Sequence, residues 1–430
     1  ASVERAEFSD ARNSWTVTLA SGAQARAQLL ITAIGVLSTP AMPAIDGIAE
    51  FSGEWYHTGL WPHEPVDFSN KRVAVIGTGA TGVQVIQEVA KTAGTLTVFQ
   101  RTPNYCAPLK NRPITPEEQV EIKASYDDIF ARCRASHGQF IHNADPRYAM
   151  RICEQEREAF YEQRYAEPGF GIWMGNFRDT YVDEEANRTI SDFIRRKIAQ
   201  RIDDPVTAER LSPRDHGFGT RRVPLETNYY EVYNQANVEL VDVREAPIQR
   251  ITRDGVQTSA NSYEFDIIIY ATGFDAVTGA FDNIDIRGLD GVALNDAWHD
   301  GPRTYLGLQT AGFPNLFTLV GPHNAATFCN IPRCIEQNVE WVTDFVAYIR
   351  EHGIARVNAE VAAQDAWMAH VIEANDKLLL NKTDSWFTGI NRNLAHKQTR
   401  KVLLYSGGAP AYRERCEEVA ANGYAGFELS

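Results

Sequence analysis

An α/β fold in which two nucleotide-binding units share crossing segments is what the sequence predicts, on three observations. A short apolar run, Arg72–Ile76, leads straight into Gly77, Gly79 and Gly82 in G-x-G-x-x-G spacing, then into a helical period over 83–90 and a second apolar run, Leu96–Phe99. Two further runs, 29–35 and 265–273, each read as a buried strand ending on a glycine, a repeat that suggests crossings between two units. From Pro116 to about Ile202 the period turns helical and charged, which reads as an insertion.

Composition narrows the function classes. The chain has 430 residues, 44% hydrophobic and 23% charged, with a net charge of −14. A balance this acidic argues against nucleic acid or an anionic membrane as the main partner. No apolar run is long enough to span a bilayer, and the first residues are polar, without the apolar region of a signal peptide. Six cysteines without paired spacing fit a reduced cytoplasm, the expected location. A metal cluster of Cys329, Cys334 and His323 is not expected, because no C-x-x-C pair or further ligand lies near them.

In chain order, Glu4–Phe8, Trp15–Leu19 and Ala23–Gln28 alternate like strands of an antiparallel unit, and 37–53 is loop. The dinucleotide unit runs from Lys71 to Thr102. In it Gly77 permits a tight turn, Gly79 lets the backbone approach a pyrophosphate, and Gly82 packs helix on strand. Phosphate would then sit on the amides around Thr78, Ala80 and Thr81, with Gln84 one turn on. The plainer alternative is a glycine-rich turn in an ordinary α/β domain. After the second strand an NAD or FAD site expects Asp or Glu, whereas this chain has Gln100-Arg101-Thr102. Arg101 can fork onto a 2′-phosphate and Thr102 can donate to it, so the reading is NADP(H).

Within the insertion, Glu117–Arg134, Ala149–Tyr165 and Asn187–Ile202 read as amphipathic helices, most of their residues as surface decoration. The loop from Leu211 to Tyr233 contains adjacent Arg221 and Arg222, whose side chains point opposite ways if it is extended; a solvated pair is the alternative. Strands follow at Val238–Asp242, Ile248–Thr252 and 314–321. Helices follow at 332–351, 359–380 and 412–419, and Trp386 lies in a loop as an exposed-type aromatic.

Phe51, Gly53, His57, Trp61 and Pro62 spell F-x-G-x-x-x-H-x-x-x-W-P, which resembles the fingerprint of the Baeyer–Villiger monooxygenases. GTGATG, FQRTPNY, GFGTRR, YATGFDA, AGFPNLF, IEQNVEW and SWFTG also resemble family segments in family order, most similar to the phenylacetone and acetone monooxygenase branch. The resemblance implies two Rossmann-like domains, for FAD and NADP. Residues 1–38 would be a remnant of the FAD domain, which is incomplete at its N-terminus and has no second G-x-G-x-x-G. Residues 39–271 would be the NADP domain, with a helical insertion at about 110–217. Residues 272–430 would complete the FAD domain and carry substrate-pocket loops. It implies an NADPH- and FAD-dependent enzyme that turns ketones into esters or lactones with O2 through a C4a-peroxyflavin, and sulfides into sulfoxides. Arg222 would be the catalytic arginine, keeping the peroxide anionic. Arg101, Thr102 and Arg221 would grip the 2′-phosphate, and Trp386 would touch the cofactor. Ala326, Thr327, Phe328 and Ile331 would line the ketone pocket, while His57 would link domains by hydrogen bonds rather than act as acid or base. A monomer or weak dimer is expected. Two alternatives stay open: an N- or S-hydroxylating flavin monooxygenase, and a non-catalytic NADP-binding fragment.

Overall fold

The computed structural model describes residues 1–325 and 329–430. At its centre lies a five-stranded, all-parallel sheet. Its strands are β1 (Glu54–His57), β2 (Arg72–Ile76), β3 (Thr95–Gln100), β4 (Val238–Asp242) and β5 (Ile267–Tyr270), with helix α1 (Ala80–Val89) joining β2 to β3. The spatial order is β4-β3-β2-β5-β1. Register places His57, Tyr270, Ile76, Phe99 and Val241 in one row across the sheet, so all five strands end at this row or one residue past it.

The central strands are apolar and largely β-branched because both faces are covered. Val73, Val75, Ile267 and Ile269 point to one side, into a core with Val83, Ile86 and Val89 of α1 and with Tyr161, Phe193, Ile194 and Ile198 of the helical segment. Ala74, Ile76, Ile268 and Tyr270 point to the other, packing on Phe51 and on the antiparallel strands Ile248–Thr252 and Gly255–Thr258 through Ile251 and Val256. The helical segment is therefore a covering layer, which corrects its reading as surface decoration. Each of its fully buried apolar side chains contributes about 1.5–3 kcal/mol.

Local chemistry sets the helix ends. Thr115 and Glu118 form a capping box ahead of Pro116–Ala124. The single helix expected over Glu117–Arg134 is two, because the Ser125 hydroxyl donates back to the Glu121 carbonyl and the chain restarts at Tyr126–Ala135. Asp183 accepts from the Ala186 N–H to start Glu184–Arg201. At its far end Arg201 forks onto the buried Glu226 at 2.7 Å and onto Glu231 at 2.6 Å, tying the helix to the loop that returns to β4.

A second unit surrounds Val3–Ser9, Ser14–Leu19 and Gln24–Ala27, which are antiparallel as expected, with Asp285–Arg287 added in parallel. The strand expected over 29–35 is only Leu30–Thr32, paired in parallel with Leu316–Thr318. Ile31 faces outward there and is 44% exposed, because alternate residues of a strand take opposite faces. Helices Ile331–Glu351, Val361–Asp376 and Ala409–Ala421 enclose the remaining core around Trp341, Phe345, Trp367 and Tyr412.

One expectation about sulfur changes here. Cys329 and Cys334 form a disulfide, five residues apart, where the spacing suggested only free thiols; Cys106, Cys133, Cys153 and Cys416 are free. His323 is fully buried, with Nδ1 3.1 Å from the Thr304 hydroxyl and Nε2 2.8 Å from the Val402 carbonyl. The carbonyl can only accept, so Nε2 carries the proton and the ring is neutral. Among the described residues no helix is long and apolar enough to cross a membrane.

Candidate active site at the carboxyl edge of the parallel sheet

Just past the row His57–Tyr270–Ile76–Phe99 the chain turns four times in one place, the crevice where open α/β sheets take ligands. After β2, Gly77 has φ +110 and lies against the turn after β5: a Cβ there would stand 2.4 Å from the Ala271 carbonyl oxygen. A Cβ on Gly82 would stand 2.3 Å from the Gly77 carbonyl oxygen, so helix and strand approach as closely as only glycine permits. Gly79 faces open space, and no side chain caps α1. The first N–H groups of α1, from Ala80, Thr81 and Gly82, thus have no intrahelical acceptor and meet the space above Gly79. This cradle fits a dinucleotide diphosphate.

Side chains tie the turns together. Thr78 Oγ1 donates to the Thr102 carbonyl at 2.9 Å, linking the glycine turn to the end of β3. Thr58, directly after β1, takes the Tyr270 carbonyl through its N–H and meets Thr81 hydroxyl-to-hydroxyl at 3.3 Å. Gln84 is exposed on α1, one turn from the cradle.

The cations stand beside this cradle. Arg101 remains exposed overall; partial desolvation, then the charges of Arg221 and Arg392, lower its pKa. Arg221 turns to Asp215 at 3.5 Å, and Asp215 also holds His216 at 2.8 Å. Arg222 has different neighbours. Its guanidinium lies 4.8 Å from the Phe170 ring centroid and 5.3 Å from that of Trp173, and it donates to the Val223 carbonyl at 3.2 Å. Burial lowers its pKa, and among the described residues it has no carboxylate partner. Asn104 donates to the Arg222 carbonyl at 3.4 Å, joining this loop to the segment that carries Arg101 and Thr102.

The fingerprint residues occupy the neighbouring strand. Phe51 is buried under the sheet, and a Cβ on Gly53 would meet the Asp266 carbonyl oxygen at 2.6 Å. His57 is 1% exposed and its Nδ1 accepts from the Gly59 N–H at 3.0 Å, which leaves the proton on Nε2. Burial depresses its pKa, outweighing the Ala41 and Gly273 carbonyls, and the ring stays neutral. Trp61 lies beside Tyr56 with ring centroids 5.5 Å apart, next to the half-buried Pro62.

Trp386 is half-buried rather than exposed, packed against Phe387 at 4.4 Å in a core with Leu378 and Leu380. Its loop is fastened to the turn after β5: Asn391 and Asn393 donate to the Phe274 and Thr272 carbonyls at 3.0 Å each. His396 and Lys397 reach Asp275 at 2.6 and 2.9 Å. Ile331 opens the helix Ile331–Glu351 and is 36% exposed. Ala326, Thr327 and Phe328 lie outside the described residues.

Sequence reasoning missed Thr58, Asn104, Phe170, Trp173 and Arg392. Arg392 carried a signal in being a third arginine, six residues after Trp386; the others are ordinary residue types in ordinary spacing.

Comparison with known proteins agrees with this geometry. Residues 2–108 match the model of the flavin-binding monooxygenase-like family. The 2-oxo-Δ3-4,5,5-trimethylcyclopentenylacetyl-CoA monooxygenase of Pseudomonas putida is 47% identical over 97% of this chain and 77% of its own length. The methyl acetate-forming acetone monooxygenase of Gordonia sp. (strain TY-5) is 40% identical over 100% of this chain and 80% of its own. A crystal structure of OTEMO in complex with FAD and NADP superposes with a TM-score of 0.95 at 47% identity, covering 100% of this chain and 80% of that one. The chain belongs to the flavin-binding monooxygenase-like family of α/β dinucleotide-binding oxidoreductases. Within it, these relatives place the chain among the Baeyer–Villiger monooxygenases.

Proposed function

We propose that the chain oxidises ketones, cyclic ones included, to esters or lactones, with FAD and NADPH as cofactors and O2 as co-substrate. Arg222 is its catalytic cation, and Arg101, Thr102 and Arg221 are its readers of the 2′-phosphate. The observation that carries the reading is Arg222, a half-buried cation on a loop that Asn104 ties to the strand end bearing Arg101 and Thr102. The 47% identity to an enzyme named for a cyclopentenyl substrate supports a cyclic ketone.

When bound, NADPH supplies a hydride and the flavin passes oxygen onward. The chain's own part is to hold, orient and stabilise charge. The amides at the start of α1 receive the diphosphate, and Gly79 leaves them room. Arg101 and Arg221 repel each other and bring positive charge beside this cradle, that of Arg221 shared with Asp215. Arg222 offers N–H donors to the negative charge that develops on a carbonyl oxygen under attack, and its guanidinium remains charged at working pH. Ala326, Thr327, Phe328 and Ile331 are proposed to line the ketone pocket, and Trp386 to touch the cofactor. Residues 1–38 with 272–430 are assigned to the FAD domain and 39–271 to the NADP domain. A cytoplasmic monomer or weak dimer completes the proposal, with sulfide oxidation as a second reaction.

The test is direct. Flavin-loaded protein given cyclopentanone, NADPH and O2 is expected to form one lactone per NADPH consumed. NADPH consumption with no ester or lactone from any of a panel of cyclic and linear ketones sinks the reading. For Arg101→Ala, KM for NADPH is expected to rise roughly ten- to hundredfold, the loss of one charge-assisted contact, with KM for NADH nearly unchanged. An equal effect on both coenzymes removes Arg101 from the 2′-phosphate.

A further inference from the structure

Arg222 sits where a charged group is costly. Its guanidinium is partly desolvated, and among the described residues it pairs with no carboxylate. What surrounds it is aromatic. Phe170 and Trp173, three residues apart around one short helical turn, set their rings at 69° to each other with centroids 5.7 Å apart, and the guanidinium lies in the corner at 4.8 and 5.3 Å from the two centroids. Both distances are inside the roughly 6 Å over which the negative face of a ring attracts a cation. The corner is itself held firm. Trp173 is 3% exposed, its carbonyl accepts from the Tyr181 hydroxyl, and Phe140 packs edge-on against Phe170 at 5.5 Å. The arginine loop is seated on the same indole: a Cβ on Gly219 would meet Trp173 Nε1 at 2.8 Å.

We propose that Phe170 and Trp173 are positioning residues for Arg222, an aromatic corner that holds the desolvated guanidinium in place and in its charged form for oxygen transfer. The proposal rests on the reading of Arg222 as the catalytic cation. It gives the helical segment a part in the chemistry as well as in covering the sheet. Two faces inclined at 69° fix the guanidinium in two directions, which a single hydrogen bond to the Val223 carbonyl does not.

The experiment replaces the electrostatics of the ring while keeping its shape. Phenylalanine carrying one, two, three and five fluorines at position 170 loses the negative ring face step by step. In the flavin-loaded enzyme, ester formed per NADPH is expected to fall stepwise, and the balance to appear as hydrogen peroxide. Phe170→Leu and Trp173→Leu are expected to lose about three- to thirtyfold in ester formation, the range of a desolvated cation–π contact. Phe170→Tyr, which keeps the face, is expected to stay near wild type, and KM for NADPH to move little throughout. A second readout needs no turnover. In protein with 15N-labelled arginine, the Arg222 Nε–H signal, assigned by its loss in Arg222→Lys, is expected to be displaced by the ring currents and to return to the ordinary range in both Leu variants.

Fluorinated and Leu enzymes with wild-type ester yield, or Phe170→Tyr as impaired as Phe170→Leu, overturn the proposal, as does an undisplaced Nε–H signal. Should Phe170→Leu fail to fold, the fluorinated series still decides. An Arg222→Ala enzyme that keeps making ester instead sinks the catalytic reading of Arg222, and the NMR signal then separates that failure from failure of the corner.

Discussion

Arg222→Ala, in the flavin-loaded enzyme, is expected to bind NADPH and oxidise it at near wild-type rates while ester formation falls about 10²–10³-fold. The magnitude is that of removing one well-placed donor from the charge that builds on an oxygen in the transition state. Coenzyme handling should survive because the cradle at the start of α1 and the pair Arg101 and Arg221 are separate side chains. Arg222→Lys discriminates further. Burial already lowers the arginine's pKa, and it has far to fall before it loses its proton. An ammonium in the same aromatic corner starts lower and is pushed the same way, so its residual activity should decline as pH rises through neutrality. The measurement is ester and hydrogen peroxide per NADPH across pH for the three proteins. Wild-type ester yield from Arg222→Ala would falsify the assignment.

His323 is expected to give the protein an acid limit of its own. Its pKa is pushed down to about 4 from 6.5, first by full burial and further by Arg303, against the Val402 carbonyl, which favours the protonated ring. The folded value lies below the unfolded one for a base. The neutral ring therefore contributes stability that is fully present above pH 6.5 and lost as pH falls towards 4. Between pH 7 and pH 4 this amounts to about 3 kcal/mol. Urea denaturation of wild type and His323→Gln across that window checks it: the variant's stability should fall less steeply with acid. Parallel curves would show that His323 does not titrate there.

The central parallel sheet was legible in the sequence because β2, α1 and β3 are adjacent in the chain and each carries its own signal: a β-branched run, glycines at fixed spacing, a helical period. The strand over 29–35 was overestimated for the opposite reason. Its partner, Leu316–Thr318, lies far along the chain, and an apolar run does not say how many of its residues find a neighbour. The break at Ser125 escaped because helical period continues across it, while the hydroxyl that ends the helix acts only once the turn has formed. At the site, Arg221 and Arg222 do have different partners, though the chain bends at Arg221 rather than running as a strand. The aromatic corner did not, since nothing in the spacing of Phe170 and Trp173 names a cation fifty residues away as their partner. Trp386 looked exposed in a polar loop; its burial depends on Leu378, Leu380 and Phe387 folding back over it.

The strand order β4-β3-β2-β5-β1 carries a consequence for how the chain is made. β5 lies between β2 and β1, yet the ribosome delivers it last of the five. Until Ile267–Tyr270 emerges, the early strand Glu54–His57 has no neighbour to pair with, and the edge of Arg72–Ile76 is bare. A nascent chain stalled before that point would carry the histidine motif unstructured beside an open apolar edge, an invitation to aggregation. The shared carboxyl edge of the parallel sheet is thereby complete only once a single four-residue segment has been translated.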